Sequence, residues 1–126
     1  MINAAHFLLF SDNAEADRLF FRDVLEWPFV DAGHGWLIFR LPAAETAIHP
    51  SAMDARTIPP GHRMLGASLY LMCEDLQAEI RALNAKKVEC TEIAEENWGF
   101  RASIRLPSGG EIGLYQPKHP TAYDLR

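Results

Sequence analysis

The sequence predicts an α+β fold built from two tandem βαβββ modules, residues 4–50 and 66–117, within one domain spanning 1–126. A linker at 51–65 joins the modules, and a tail at 118–126 follows them. Two observations carry this reading. The order strand, helix, three strands occurs twice, and superposing the halves by their first and last strands requires nearly equal offsets, 62 and 64 residues. Within the strands, apolar and polar residues alternate with period two, as half-buried strands require.

The first module opens with the apolar strand "HFLLF", residues 6–10. In "SDNAEADRLFFRDVLEW", Asp12 followed three residues later by Glu15 has the form of a helix start. Ala16, Leu19, Phe20, Phe21 and Val24 supply the apolar side of that helix, and Pro28 ends it. "PFVDAG", "GWLIFRLP" and "ETAIHP" are short β-rich stretches punctuated by Gly and Pro, and they form the remaining strands.

The second module repeats the scheme: "ASLYLMC" is a strand, "EDLQAEIRALNAKK" a helix, and "VECTEIAE", "FRASIRLP" and "EIGLYQP" three strands. Between the modules, the prolines and glycines of "PSAMDARTIPPGHRMLG" mark the linker.

Alternation assigns the strand faces. Phe7 and Leu9 oppose His6, Leu8 and Phe10; Thr46 and Ile48 oppose Glu45, Ala47 and His49. Leu69, Leu71 and Cys73 oppose Ser68, Tyr70 and Met72; Ile112 and Leu114 oppose Glu111, Gly113 and Tyr115. The first set of each pair is mostly aliphatic and should pack on the helices. The second mixes rings with polar groups, the lining expected of a small-molecule cleft.

Composition narrows the classes of function. With 17 acidic residues against 12 Lys and Arg, a net charge of −5 and no basic cluster, nucleic acid is an unsuitable partner. No apolar run approaches the roughly 18 residues of a membrane span. The N-terminal residues lack the pattern of a secretory signal, so the expectation is a soluble, cytoplasmic protein. Cys73 and Cys90 have no CxxC spacing and read as buried free thiols.

With the elements in this order, "HFLLFSDNAEADRLFFRDVLEW", "SLYLMCEDLQAEIRAL" and "LPSGGEIGLYQP" resemble the vicinal-oxygen-chelate superfamily, the glyoxalase, bleomycin-resistance and dioxygenase proteins. The likeness runs from His6 to Gln116. It implies a curved mixed sheet around a cleft, helices on the outer face, and a homodimer in which the cleft is completed within one chain or across two. In metal-dependent members it also implies a divalent ion held from the first and last strand of each module. Those places fall on His6, His49, Ser68 and Gly113, of which only the histidines supply a donor; a metal site needs at least three. Leu106 and Ser108 stand where the family turn usually has aspartates.

Glu111 lies two residues before Gly113 on the same face, so a set of His6, His49 and Glu111 could hold zinc, nickel, manganese or iron. Two residues along a strand is about 6.6 Å, well beyond a metal–ligand bond. Without a metal, His6 or Glu111 could act as a general acid or base. The simpler role for His6 and His49 is to line the cleft. His34, in "AGHGW", reads as a loop residue, and His62 and His119 fall in linker and tail.

Arg101, Ser103 and Arg105 alternate with Phe100, Ala102 and Ile104, giving a polar face that either fixes an anion or is solvated. Trp27, Trp36 and Trp98 are packing residues in the simpler reading, with Trp98 placed to stack on a ligand near the cleft mouth. The expected cleft is therefore His6, Leu8, Phe10, Ala47, His49, Ser68, Tyr70, Met72, Trp98, Arg101, Ser103, Glu111, Gly113 and Tyr115. The primary expectation is a protein binding a small organic molecule with no cofactor. The alternatives are a lyase, isomerase or dioxygenase using a divalent metal at His6, His49 and Glu111, and a non-catalytic interaction domain with a vestigial cleft.

Overall fold

A computed structural model describes residue 1, residues 3–50 and residues 66–126. The expected linker at 51–65, with His62, lies outside the described residues. The elements are α1 (Ala14–Asp23), β1 (Phe29–Asp31), β2 (Leu37–Phe39), β3 (Tyr70–Met72), α2 (Leu76–Ala85), β4 (Ala94–Glu96), β5 (Gly99–Arg105) and β6 (Glu111–Pro117). The fold is α+β, as the sequence pattern predicts.

The second module is a complete βαβββ unit. Its sheet has the order β3-β6-β5-β4, with β3 parallel to β6 and the other pairs antiparallel. A parallel neighbour requires a crossover, and α2 together with β4 and β5 occupies it. The Asp75 side chain accepts from the Ala78 backbone N–H at 3.1 Å and caps α2. Between β5 and β6, the Gly109 N–H donates to the Leu106 carbonyl at 2.9 Å with φ of +91°, a conformation glycine adopts without steric cost.

Alternation along β5 and β6 holds in three dimensions. Ala102, Ile104, Ile112 and Leu114 are buried, with Leu76 and Leu83 of α2 and Phe20 and Phe21 of α1 in the same core. Leu69, Leu71 and Cys73 pack against it. Full burial of a side chain such as Ile104 or Leu76 stabilises by about 1.5–3 kcal/mol, so one apolar layer between the helices and the sheet holds the fold together.

The first module departs from expectation. Its helix forms, capped by Asn13, whose side chain accepts from the Ala16 N–H, rather than by Asp12. β1 and β2 pair as a short antiparallel hairpin with Phe29 opposite Phe39, separate from the four-stranded sheet. Residues 6–10 and 45–49, expected as strands, carry none. Among the described residues, no backbone hydrogen bond ties 3–9 or 43–49 to another segment. A strand is defined by its ladder, and these segments have the apolar composition with no ladder among the described residues.

A buried carboxylate links the modules. Asp17 of α1 accepts from Ser11 Oγ at 2.6 Å, from the Ser108 backbone N–H at 3.0 Å and from Ser108 Oγ at 2.7 Å. Ser108, standing where the family turn usually has an aspartate, is thus a donor that seats α1 against the β5–β6 turn.

Candidate functional site

The helices pack on one face of the four-stranded sheet, and among the described residues no helix covers the opposite face, whose residues are half-buried to exposed. Alternation puts Tyr70 and Met72 of β3, Gly113 and Tyr115 of β6, and Arg101 and Ser103 of β5 on that face. Pairing register aligns them: Tyr70 opposes Gly113, Met72 and Arg101 both oppose Tyr115, and Ser103 opposes Gly113. Trp98, in the turn before β5, receives a hydrogen bond from the Lys118 N–H to its carbonyl at 2.9 Å, which ties it to the end of β6.

Three rings converge there. Tyr70 and Trp98 are 6.3 Å apart between centroids, Tyr70 and Tyr115 5.7 Å, and Trp98 and Tyr115 5.3 Å, each pair nearly perpendicular. Tyr70 is 44 % exposed and Trp98 39 %, so the cluster presents aromatic surface outward. Gly113 makes it possible: a Cβ at that position would overlap the Tyr70 ring, which lies across the bare backbone.

The tail adds a polar end. The His119 ring lies 6.0 Å from Tyr115, with Nε2 at 3.2 Å from the Tyr115 hydroxyl and Nδ1 at 2.7 Å from the Pro120 carbonyl. A carbonyl only accepts, so Nδ1 donates to Pro120, and in the tautomer with its single proton on Nδ1 the Nε2 atom accepts from the Tyr115 hydroxyl. Burial, and secondarily the Glu45 carboxylate, push the Tyr115 phenol above its ordinary pKa. Glu45 is held in place by accepting from the Ala122 N–H at 3.0 Å.

Nearby cations are paired. Arg101 Nε lies 3.1 Å from Glu96 Oε1, and Lys118 Nζ lies 2.6 Å from Glu95 Oε2 and 4.7 Å from the Phe100 ring centroid. Arg101 is thus on the open face, but its guanidinium already has a carboxylate.

The other expected site residues are differently placed. His6, Leu8 and Phe10 lie in the exposed N-terminal segment, Ala47 and His49 in the exposed stretch before Pro50, and Ser68 on the exposed approach to β3. Among the described residues His6 makes no hydrogen bond, ion pair or ring contact; the His49 Nδ1 bonds the Pro50 carbonyl at 3.0 Å. Glu111 faces Arg105 at 4.0 Å.

The arrangement does not fit the metal that the fold family implies. Among the described residues no three of His, Cys, Asp and Glu gather as a metal-holding group, so His6, His49 and Glu111 do not converge within the chain. At Gly113, where the resemblance places a ligand, the Tyr70 ring occupies the space.

A hollow of about 410 Å³ lies elsewhere, at the start of α2 among Glu74, Asp75, Gln77, Ile93, Phe100 and Gln116. Its backbone donor, the Leu76 N–H, is already bonded to Gln116 Oε1 at 3.0 Å. The aromatic face is therefore the stronger candidate. Glu45, which alternation sets on the cleft face with Ala47 and His49, belongs to it, and so does His119, which the sequence pattern leaves in the tail. The Tyr115–His119 spacing of four is not a facing distance on a strand, and only the turn of the tail brings the imidazole back.

No helix among the described residues is long and apolar enough to cross a membrane. No family model and no curated protein matches the chain. Solved structures do. A lactoylglutathione lyase of Agrobacterium tumefaciens superposes with a TM-score of 0.61 at 16 % identity, covering 90 % of this chain and 92 % of its own. An antibiotic binding protein of Streptomyces sp. CB03234 gives 0.58 at 24 % identity, covering 94 % and 100 %. A glyoxylase/bleomycin resistance protein/dioxygenase domain of Frankia sp. EAN1pec gives 0.54 at 14 % identity, covering 94 % and 99 %.

Proposed function

We propose that this chain, which has the glyoxalase/bleomycin-resistance/dioxygenase fold, binds a small, partly apolar organic molecule on the open face of its four-stranded sheet without a resident metal. The observation that carries the reading is the cluster of Tyr70, Trp98 and Tyr115 on a helix-free face, with aromatic surface directed outward. Rings at such a site supply large contact area at low conformational cost, and a few polar groups fix orientation. His119 and the Tyr115 hydroxyl provide those groups. One structural neighbour is an antibiotic binding protein, which agrees with a binding role.

The same reading includes a homodimer. It is supported by the segment at 3–9, whose Phe7, Leu8 and Leu9 are about half exposed, and by β3, which among the described residues ends its sheet with one neighbour. An apolar strand-like segment and an open sheet edge are complementary, and a two-fold pair of chains would match one with the other.

The test is a thermal-shift panel of small, partly apolar organic molecules, neutral and charged, followed by titration of each hit against Trp98→Ala. A specific ligand raises the melting temperature by mass action, and its effect should vanish in the variant. Hits indifferent to Trp98, or none across a broad panel, would sink the proposal.

A further inference from the structure

The three rings are arranged as more than an apolar wall. Their planes stand at 83° between Tyr70 and Trp98, 84° between Tyr70 and Tyr115, and 80° between Trp98 and Tyr115. Rings so related either pack edge to face or turn their faces to one point; in the second arrangement separations of 5.3–6.3 Å set that point about 4 Å from each ring, within the range over which a ring face attracts a cation, and the exposure of Tyr70 and Trp98 leaves ring surface open to solvent.

The geometry points to an aromatic cage for an organic cation: an alkylated or quaternary ammonium group seated among Tyr70, Trp98 and Tyr115, with the Glu45 carboxylate as counter-charge. This rests on the reading that the open face is a small-molecule site, and it names the chemistry of what the site takes.

A second observation supports the sign of the charge. Glu45 acts electrostatically on the Tyr115 phenol and is fixed by the Ala122 N–H. Among the described residues it has no cationic partner, whereas Arg101 and Lys118 nearby are each paired with Glu96 and Glu95. The Tyr115 end of the face thus has a positioned carboxylate with no cationic partner among the described residues, and the chain as a whole carries −5. An anionic ligand would meet that carboxylate and the negative faces of the rings. A neutral one would gain contact area alone. A poorly hydrated ammonium gains from both rings and carboxylate.

The experiment compares choline with its uncharged isostere 3,3-dimethylbutan-1-ol, titrated into the full chain and read by chemical-shift perturbation. The alcohol should bind at least about tenfold more weakly, since the two differ only in the charge. Trp98→Ala should abolish choline binding, and Trp98→Phe should retain part of it. Glu45→Gln, a partly exposed change that leaves the rings in place, should weaken choline several-fold and leave the alcohol unchanged. Equal affinity for the two probes, or no binding of choline into the tens of millimolar, would overturn the cage. Neutral aromatic ligands that still perturb the three rings would then leave the small-molecule reading intact, so the two failures are distinguishable.

Discussion

The phenol ring of Tyr70 lies across the bare Cα of Gly113, its partner in the parallel β3–β6 ladder, in the space a Cβ would take. Gly113→Ala should therefore force the ring outward. Overpacking of this kind costs about 1–3 kcal/mol, and the half-exposed Tyr70 can yield, so the low end applies. The expected result is a melting temperature lowered by a few degrees, with Tyr70 ring resonances shifted and ligand affinity lost. Unchanged Tyr70 resonances would mean that the glycine is not what seats the ring.

Asp17 accepts three hydrogen bonds while buried, two of them from Ser108, 91 residues away. Asp17→Ala leaves the Ser108 N–H unsatisfied and should destabilise by about 3 kcal/mol; Ser108→Ala, which keeps two of the three donors, by about 1.5 kcal/mol. Denaturant unfolding of both singles and the double should give a clear coupling energy, since the residues share one interaction. Additive effects would show that the link between α1 and the β5–β6 turn contributes nothing.

Cys73 is half-buried, and burial, followed by the charges of Glu79 and Asp75, pushes its thiol up to about 11. Cys90 moves upward too, through burial. The thiol is neutral in both folded and unfolded chains below the ordinary value near 9. Between about 9 and 11 the unfolded chain ionises first, so stability should fall as pH rises through that window. In the native protein at pH 8, iodoacetamide should modify Cys73 far more slowly than in denaturant. Rapid native alkylation at that pH would contradict the burial.

What the sequence reveals, and what it hides, follows from the range of the interactions. Phe100, Ala102 and Ile104 against Arg101, Ser103 and Arg105 is a local alternation, and the buried face of β5 follows it; the capping of α2 by Asp75 is equally local. The register that sets Tyr70 over Gly113 spans 43 residues; alternation puts both on the ring-bearing face, and only the docking of β3 on β6 sets them opposite each other. Asp17 bonding Ser108, and His119 folding back on Tyr115, depend on how distant segments dock, for which no periodicity exists. The two expected strands of the first module fail for a related reason. "HFLLF" specifies what prefers burial and says nothing of which edge buries it.

That last point bears on Leu8. Phe7, Leu8 and Leu9 are 50 %, 59 % and 46 % exposed, so both faces of the segment are wet, which a strand facing a single core would not be. Contiguous exposed apolar residues with unlaced backbone are a template for pairing, and proteins that keep one ordinarily cover it. If a second copy supplies the cover, the chain should sediment at twice 14.2 kDa at micromolar concentration. Leu8→Glu would bury a charge in that interface and should shift the population to monomer, while the four-stranded sheet, which does not include residue 8, keeps its far-ultraviolet signal. A dimer completed this way should also lose ligand affinity on dissociation if the partner walls the aromatic face; affinity preserved in the monomeric variant would confine the site to one chain. A wild-type chain that is monomeric at every concentration would remove the dimer altogether.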